Sequence, residues 1–172
     1  MQNIIWVFGM SAVGKDTFCR YMLDKPSSEL LTKLNLTAKK ISFSDLSLIT
    51  GTYTGDPAVN DRLGIPQEVE SLLRNNDAVL IKWQYIDMSM GIFEQVSKTN
   101  PHAQISIILL RADDPIVASR LLNKKWWQRM HAQDDPNQNV QLEKKMVQDE
   151  MEKLKDAYPV TIVDSKPDYN FT

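Results

Sequence analysis

An apolar run that ends abruptly at a glycine restricts the fold of this chain more than any other feature of its sequence. Residues 4–8 are continuously hydrophobic, and Gly9 follows at once. Four residues separate Gly9 from Gly14, Lys15 comes next, and residues 16–23 are compatible with a helix. This order predicts a buried strand, a glycine-rich turn and a helix in immediate succession. The backbone N–H groups of such a turn point at an anion.

The turn matches the phosphate-binding pattern G-x-x-x-x-G-K-[ST], with Asp16 where Ser or Thr normally follows the lysine. Lys15 would reach the β- and γ-phosphates of a nucleotide as a point charge. The alternative is a glycine-rich turn that binds nothing, but strand, turn, lysine and helix agree in register and favour phosphate binding. The predicted nucleotide-binding residues of the turn are Gly9, Met10, Ser11, Ala12, Val13, Gly14, Lys15, Asp16 and Thr17.

Asp16 has two interpretations. Its carboxylate binds Mg²⁺ directly or through a water, in place of the usual hydroxyl. Alternatively it is an acid at a helix N-terminus, stabilised by the helix dipole by roughly 0.3–1 kcal/mol. Thr17 then bonds the α-phosphate, or binds the metal if Asp16 turns away. We predict Asp16 and Thr17 as the metal-binding residues.

Composition indicates one domain, covering residues 1–172, with a full core, since 42% of the residues are hydrophobic. The formal net charge of −2 favours neither a nucleic-acid nor a membrane partner. Cys19 is the single cysteine, so no disulfide forms within the chain, which fits a cytoplasmic protein. The longest apolar run, residues 105–110, is too short to span a bilayer. We expect a monomer or homodimer.

Apolar and amphipathic segments alternate along the chain. Short apolar runs predict strands over residues 3–8, 38–43, 78–83, 105–110 and 160–163. Helices are predicted between them, over 15–23, 28–34, 66–74, 87–98, 116–125 and 143–158, and the polar residues 133–139 are predicted as a loop. Strands separated by helices predict an α/β fold whose parallel sheet is covered on both faces.

Four segments resemble the nucleoside-monophosphate-kinase-like group of P-loop kinases, which includes adenylate, shikimate and gluconate kinases. Residues 9–17 resemble its G-x-x-x-x-G-K-G-T loop, and residues 41–46 resemble its second strand and the acid that follows. Residues 110–121 resemble the stretch that leads into the lid, and residues 163–167 resemble the last strand and the adenine-side loop. The resemblance implies a three-layer P-loop NTPase fold with five parallel strands in the order 2-3-1-4-5.

The resemblance also implies roles for residues outside the turn. Lys15 and Arg120 would neutralise charge on the transferring phosphoryl group, and Asp45 would orient the acceptor hydroxyl. Alternatively, Asp45 is a structural residue that stabilises a turn or caps a helix. Lys166 and Pro167 would lie against the nucleotide base.

A basic cluster follows Arg120 in the sequence. Lys124, Lys125 and Arg129 match a short lid-like segment near 124–139 that would close over the phosphates and become ordered only with both substrates bound. Alternatively, these three side chains are solvated charges near the end of a helix. Trp126 and Trp127 predict a stacking surface for a base, with one of the two packed beneath the lid.

The chain departs from the resemblance at the end of the third strand. Ile81-Lys82-Trp83-Gln84 stands where many members place an acidic residue. Lys82 and Gln84 are candidates to bind a phosphate or a sugar hydroxyl, with solvation at a strand end as the alternative. Asp56, Asp61 and Arg62 are candidates to bind the acceptor. The alternative is that they belong to a solvated loop and bind nothing.

These features predict a kinase that uses ATP and Mg²⁺ to phosphorylate a small acceptor. A nucleotide or nucleoside is the first expectation for the acceptor, and a sugar or another metabolite is the next. A regulatory P-loop NTP-binding protein or slow NTPase without an acceptor is the alternative from another class, which the missing strand-end acid favours. A polynucleotide 5′-kinase is disfavoured by the negative net charge.

Overall fold

The structure is a computed structural model that describes residues 2–24, 27–36, 40–45, 65–82 and 90–172. Within these residues, five parallel strands form one sheet in the order β2-β3-β1-β4-β5. This order and the parallel pairing confirm the predicted fold class. The strands are β1 (Asn3–Phe8), β2 (Ile41–Asp45), β3 (Ala78–Lys82), β4 (Gln104–Arg111) and β5 (Val160–Asp164).

Helices connect successive strands, as parallel pairing requires. Before β3 they are α1 (Lys15–Asp24), α2 (Ser28–Lys33) and α3 (Ile65–Leu73). After it come α4 (Met90–Thr99), α5 (Asp114–Leu122), α6 (Lys125–Met130) and α7 (Pro136–Leu154).

The central strand β1 is buried on both faces, which explains its continuous hydrophobic sequence. Ile5 and Val7 point into a core that includes Phe18 of α1. Trp6 points into the opposite core and stacks on Phe93 of α4, with ring centroids 4.8 Å apart. Alternate side chains of one strand therefore hold two helical layers against the sheet.

Several predicted boundaries were wrong. The helix after β4 begins at Asp114 and ends at Leu122, and a separate short helix follows from Lys125. The residues predicted as a loop, 133–139, already contain the first turn of α7, which begins at Pro136. Asp135 caps this helix by accepting from the Asn137 N–H at 2.9 Å, and proline suits the first helical position.

Other segments lie closer to their predicted bounds. The second strand extends to Asp45, so this residue ends β2 rather than following it. Cys19 is a buried free thiol, as predicted. No helix in the described part of the chain is long and apolar enough to cross a membrane.

Candidate active site

The turn between β1 and α1 depends on its two glycines. Gly9 has a φ of 150°, and a Cβ there would lie 2.5 Å from the carbonyl oxygen of Leu110. Gly14 has a φ of 109°, and a Cβ there would lie 3.1 Å from the Tyr169 ring. Backbone conformation therefore disfavours a side chain at both positions, and at Gly9 the Leu110 carbonyl also leaves no space for one.

Ala12, at the apex of the turn, has a φ of 59°, in the left-handed region that alanine rarely adopts. Backbone strain of this kind persists where the surrounding structure fixes it, and it concentrates in ligand-binding loops. Helix α1 begins directly afterwards at Lys15, so its N-terminus faces the turn. Loop and helix together provide the N–H groups that an anion requires.

Lys15 folds back over the turn. Its Nζ donates to the carbonyl oxygens of Gly9 and Met10, each at 2.7 Å. The side chain is buried, and burial lowers the pKa of Lys15 from 10.5 to about 8. Among weaker influences, the Glu143 charge raises this pKa and the Lys82 charge lowers it. The ammonium is therefore poorly solvated, and two carbonyl oxygens are its hydrogen-bond acceptors.

A cavity of about 210 Å³ opens above the turn. Three lysines line it, at the start of α1, at the end of β3 and just before α6, together with one carboxylate from α1. Backbone and aromatic groups complete its wall. The residues that line it are Ser11, Ala12, Gly14, Lys15, Asp16, Thr17, Lys82, Lys124, Trp126 and Tyr169.

Lys82 and Asp16 form an ion pair on the wall of this cavity. The Lys82 Nζ lies 2.8 Å from the Asp16 Oδ1. The Lys82 side chain is 14% exposed, whereas that of Asp16 is 59% exposed. Lys82 ends β3 opposite Val7 of β1, which places it beside the turn at the carboxyl edge of the sheet.

Glu143 of α7 is a site residue that the sequence did not reveal. Its Oε2 accepts from the Ser11 backbone N–H at 2.6 Å, and its Oε1 accepts from the Asn139 side chain at 3.0 Å. The residue is only 7% exposed. An acid within the apolar stripe of α7, between Val140 and Val147, is the sequence signal that points to it.

Arg120 lies behind the turn rather than on the cavity wall. Its Nη1 donates to the Val13 carbonyl oxygen at 2.8 Å and to the Ser165 Oγ at 3.1 Å. Its Nη2 donates to the carbonyl oxygens of Lys166 and Pro167, so the predicted adenine-side residues contact it through their backbones. The guanidinium also lies 3.9 Å from the centre of the Tyr169 ring. The catalytic role predicted for Arg120 stays a prediction.

The predicted lid residues do not all lie at the cavity. Lys124, which precedes α6, lines the cavity, whereas Lys125 and Arg129 lie on the exposed surface of α6. Trp127 is buried and stacks on His131 at 4.4 Å between ring centroids. Trp126 is 43% exposed and lines the cavity. One tryptophan is therefore packed and the other accessible, as predicted.

The acceptor residues are less well defined. The backbone of Asp45 ends β2 in register with Lys82 of β3, so it lies at the same sheet edge as the turn. Its role stays a prediction. The other acceptor candidates lie outside the described residues, namely Asp56, Asp61, Arg62 and Gln84.

The oxygen donors at the cavity fit a Mg²⁺ ion held mainly by a nucleotide. Among the described residues, no group of three or more His, Cys, Asp or Glu could hold a metal alone. Asp16 and Thr17 both line the cavity beside the turn. Mg²⁺ commonly binds one or two carboxylates and takes its other ligands from phosphates and water.

A second cavity, of about 590 Å³, lies at the ends of β4 and β5. Leu109, Ala112 and Asp164 line it on the sheet side, and Lys144 and Gln148 of α7 line it on the other. Met10 of the turn also lines it, but Ser11, Ala12, Gly14 and Lys15 all line the smaller cavity, which is therefore the candidate site.

No protein-family model matches the sequence, and no curated protein sequence matches it. Solved structures do. An unliganded sugar kinase from Janibacter sp. HTCC2649 matches with a TM-score of 0.55 over 98% of this chain and 89% of its own, at 10% identity. The chain therefore shares the fold of this solved structure.

Two further structures are similar. One is from the PezAT chromosomal toxin–antitoxin system of Streptococcus pneumoniae, with a TM-score of 0.53 and 17% identity over 99% of this chain and 71% of that one. A shikimate kinase from Bacteroides thetaiotaomicron has a TM-score of 0.45 and 17% identity over 94% of this chain and 86% of its own. At their low identities, the sugar kinase and PezAT structures support the fold alone.

Proposed function

We propose that the protein is an ATP-dependent kinase that transfers the γ-phosphoryl group to a small hydroxyl-bearing acceptor. The observation that carries this proposal is the buried Lys15 ammonium, which bonds two carbonyls of a glycine turn at the floor of a cationic cavity. A desolvated cation that can exchange carbonyl oxygens for phosphate oxygens stabilises charge that develops during phosphoryl transfer.

Each part of the site contributes a physical step. The N–H groups of the turn and of the start of α1 hold the phosphates, and Lys15 contacts the β- and γ-phosphates. Lys124, just before α6, adds positive charge. Asp16 and Thr17 would hold Mg²⁺, which when bound would neutralise negative charge on the phosphates. Asp45, at the end of β2, would orient the acceptor hydroxyl.

Arg120 contributes as a support for the turn. Its guanidinium joins the Val13 carbonyl to the segment after β5, so it fixes the back of the turn against the segment predicted to contact the base. Acting on the phosphoryl group itself would require the guanidinium to leave these carbonyls.

We propose two classes of acceptor. A nucleotide or nucleoside is our first proposal, from the sequence resemblance. A sugar fits equally, and the structural similarity to a sugar kinase supports it. The second candidate function is a regulatory NTP-binding protein or slow NTPase, and Lys82 in place of an acid at the end of β3 favours it.

A screen of nucleotide consumption tests the proposal. ATP and GTP are offered with nucleosides, nucleotides, sugars and shikimate-like acids, in the wild type and in Lys15→Ala. We expect consumption that depends on one acceptor class. Lys15→Ala should abolish it, because removing this charge costs about 2–4 kcal/mol of transition-state stabilisation.

Two outcomes contradict the kinase proposal. Consumption that no acceptor accelerates indicates the slow NTPase. Near-normal kcat in Lys15→Ala means that the turn is not the reaction site.

A further inference from the structure

We propose that Lys82 is a second phosphate-binding lysine, that Asp16 holds it in place, and that its ammonium provides part of the charge compensation usually left to the metal. This inference rests on the proposed nucleotide site. It assigns a role to the residue that stands where many members of the kinase group that the sequence resembles place an acid.

The position of Lys82 supports the assignment. It ends β3, and its backbone is in register with Val7 of β1, two residues before Gly9. The carboxyl ends of parallel strands form the ligand-binding edge of an open α/β sheet. Lys82 therefore reaches the cavity from the strand next to the one that carries the phosphate-binding turn.

The burial of Lys82 distinguishes it from a solvated strand-end lysine. Lysines normally keep the charged head in water and are mostly exposed. Here the side chain is 14% exposed, and its Nζ is held 2.8 Å from the Asp16 Oδ1. The ammonium is fixed at the cavity wall before any ligand binds, so less side-chain entropy is lost on binding.

The charge arrangement indicates an anionic ligand. Lys15, Lys82 and Lys124 line the cavity, and Asp16 is the only carboxylate among the residues that line it. The charge of Lys82 acts on Lys15, whose pKa it lowers. Cations held together in this way repel one another, and a polyphosphate that lies between them relieves the repulsion.

The same pair changes what Asp16 can do. A carboxylate that already contacts an ammonium attracts a divalent cation less than a free carboxylate does. Lys82 therefore substitutes for some of the positive charge that a metal brings, and a polyphosphate has a cationic partner even without a metal. We expect nucleotide binding to persist in EDTA.

Calorimetric titration with ATP, in EDTA and in Mg²⁺, tests the inference. Lys82→Met should weaken ATP binding about tenfold to a hundredfold in EDTA, as expected for one charge-assisted hydrogen bond. The loss should be smaller in Mg²⁺. Lys82→Arg, which keeps the charge, should restore most of the affinity.

Two further variants control the experiment. Lys98→Met removes one exposed lysine at the end of α4, at the opposite edge of the sheet, and should bind ATP as the wild type does. Asp16→Asn keeps the Lys82 charge but loosens its position, and should show an intermediate loss in EDTA. Thermal denaturation verifies that each variant is folded.

The outcomes separate the two proposals. Lys82→Met that binds ATP in EDTA as tightly as Lys98→Met overturns the role of Lys82 and leaves the kinase proposal intact. A wild type that binds no ATP in either buffer overturns both. If Lys82→Met unfolds, Lys82→Gln replaces it, and unchanged affinity in EDTA again overturns the inference.

Discussion

At the scale of single residues, Lys15 combines its proposed role in phosphate binding with a cost in stability. Burial lowers its pKa to about 8, so between this value and 10.5 the unfolded chain binds more protons than the folded chain. The desolvated charge therefore destabilises the fold at neutral pH, and the penalty disappears as pH rises through that range. A phosphate placed on the ammonium offsets the penalty, which links binding to the protonation of Lys15.

The lowered pKa predicts the pH dependence of nucleotide binding. Below about pH 8, Lys15 is protonated with or without ligand, and its contribution to affinity is constant. At higher pH the free protein must take up a proton to bind phosphate, so affinity falls by up to about tenfold per pH unit. Calorimetry of ATP binding, in buffers of different ionisation enthalpy, measures the fall and the proton uptake.

Lys15→Ala is the control for this titration, since it should bind weakly and show no proton uptake above pH 8. Wild-type affinity that stays constant from pH 7 to 9.5 contradicts the linkage between Lys15 and the phosphates.

Sequence predicted the turn residues because a strand, two glycines and a lysine at fixed spacing allow few structures. It did not predict the contacts of Arg120 or Glu143, because both join segments far apart in the chain. The Glu143 carboxylate and the Ser11 N–H are 132 residues apart in sequence. No local pattern specifies such a contact, although a buried acid on an apolar helix face indicates that a partner exists.

At the scale of elements, α7 supports the glycine turn through Glu143. Glu143→Ala removes the two hydrogen bonds that the carboxylate accepts, from the Ser11 N–H and from the Asn139 amide. We expect this to lower the free energy of unfolding by about 1–3 kcal/mol. Glu143→Gln keeps one acceptor oxygen and should lose less. Chemical denaturation measures both.

Asp149→Ala, on the exposed face of the same helix, is the matched control and should not lower the stability. If Glu143→Ala and Asp149→Ala unfold at the same denaturant concentration, the contact between α7 and the turn contributes nothing to the fold.

The accuracy of the predicted elements follows from how strong their local signals are. The limits of β1 were predicted to the residue, because an apolar run bounded by polar residues and a glycine has one interpretation. The start of α7 was predicted late, because Gln133-Asp134-Asp135-Pro136 is polar enough to resemble a loop. Asp135 followed by Pro136 is a helix-start signal within it.

At the scale of the whole molecule, the sheet order places every part of the site at one edge. β1 lies between β3 and β4, so the turn after β1 is flanked by Lys82 on one side and by the segment leading to Arg120 on the other. Hydrophobic periodicity predicted parallel strands with helices between them. It did not specify their order, which came from the family resemblance because many orders bury the same faces.

Amide hydrogen exchange with and without saturating ATP tests the central claim most directly. The claim is that the turn and the start of α1 bind nucleotide phosphates through their N–H groups. Exchange should slow over residues 9–17, and residues 28–36, in α2 and the turn that ends it, should be unchanged. Protection of residues 109–115 and 144–148 at the second cavity, with residues 9–17 unchanged, would contradict the account.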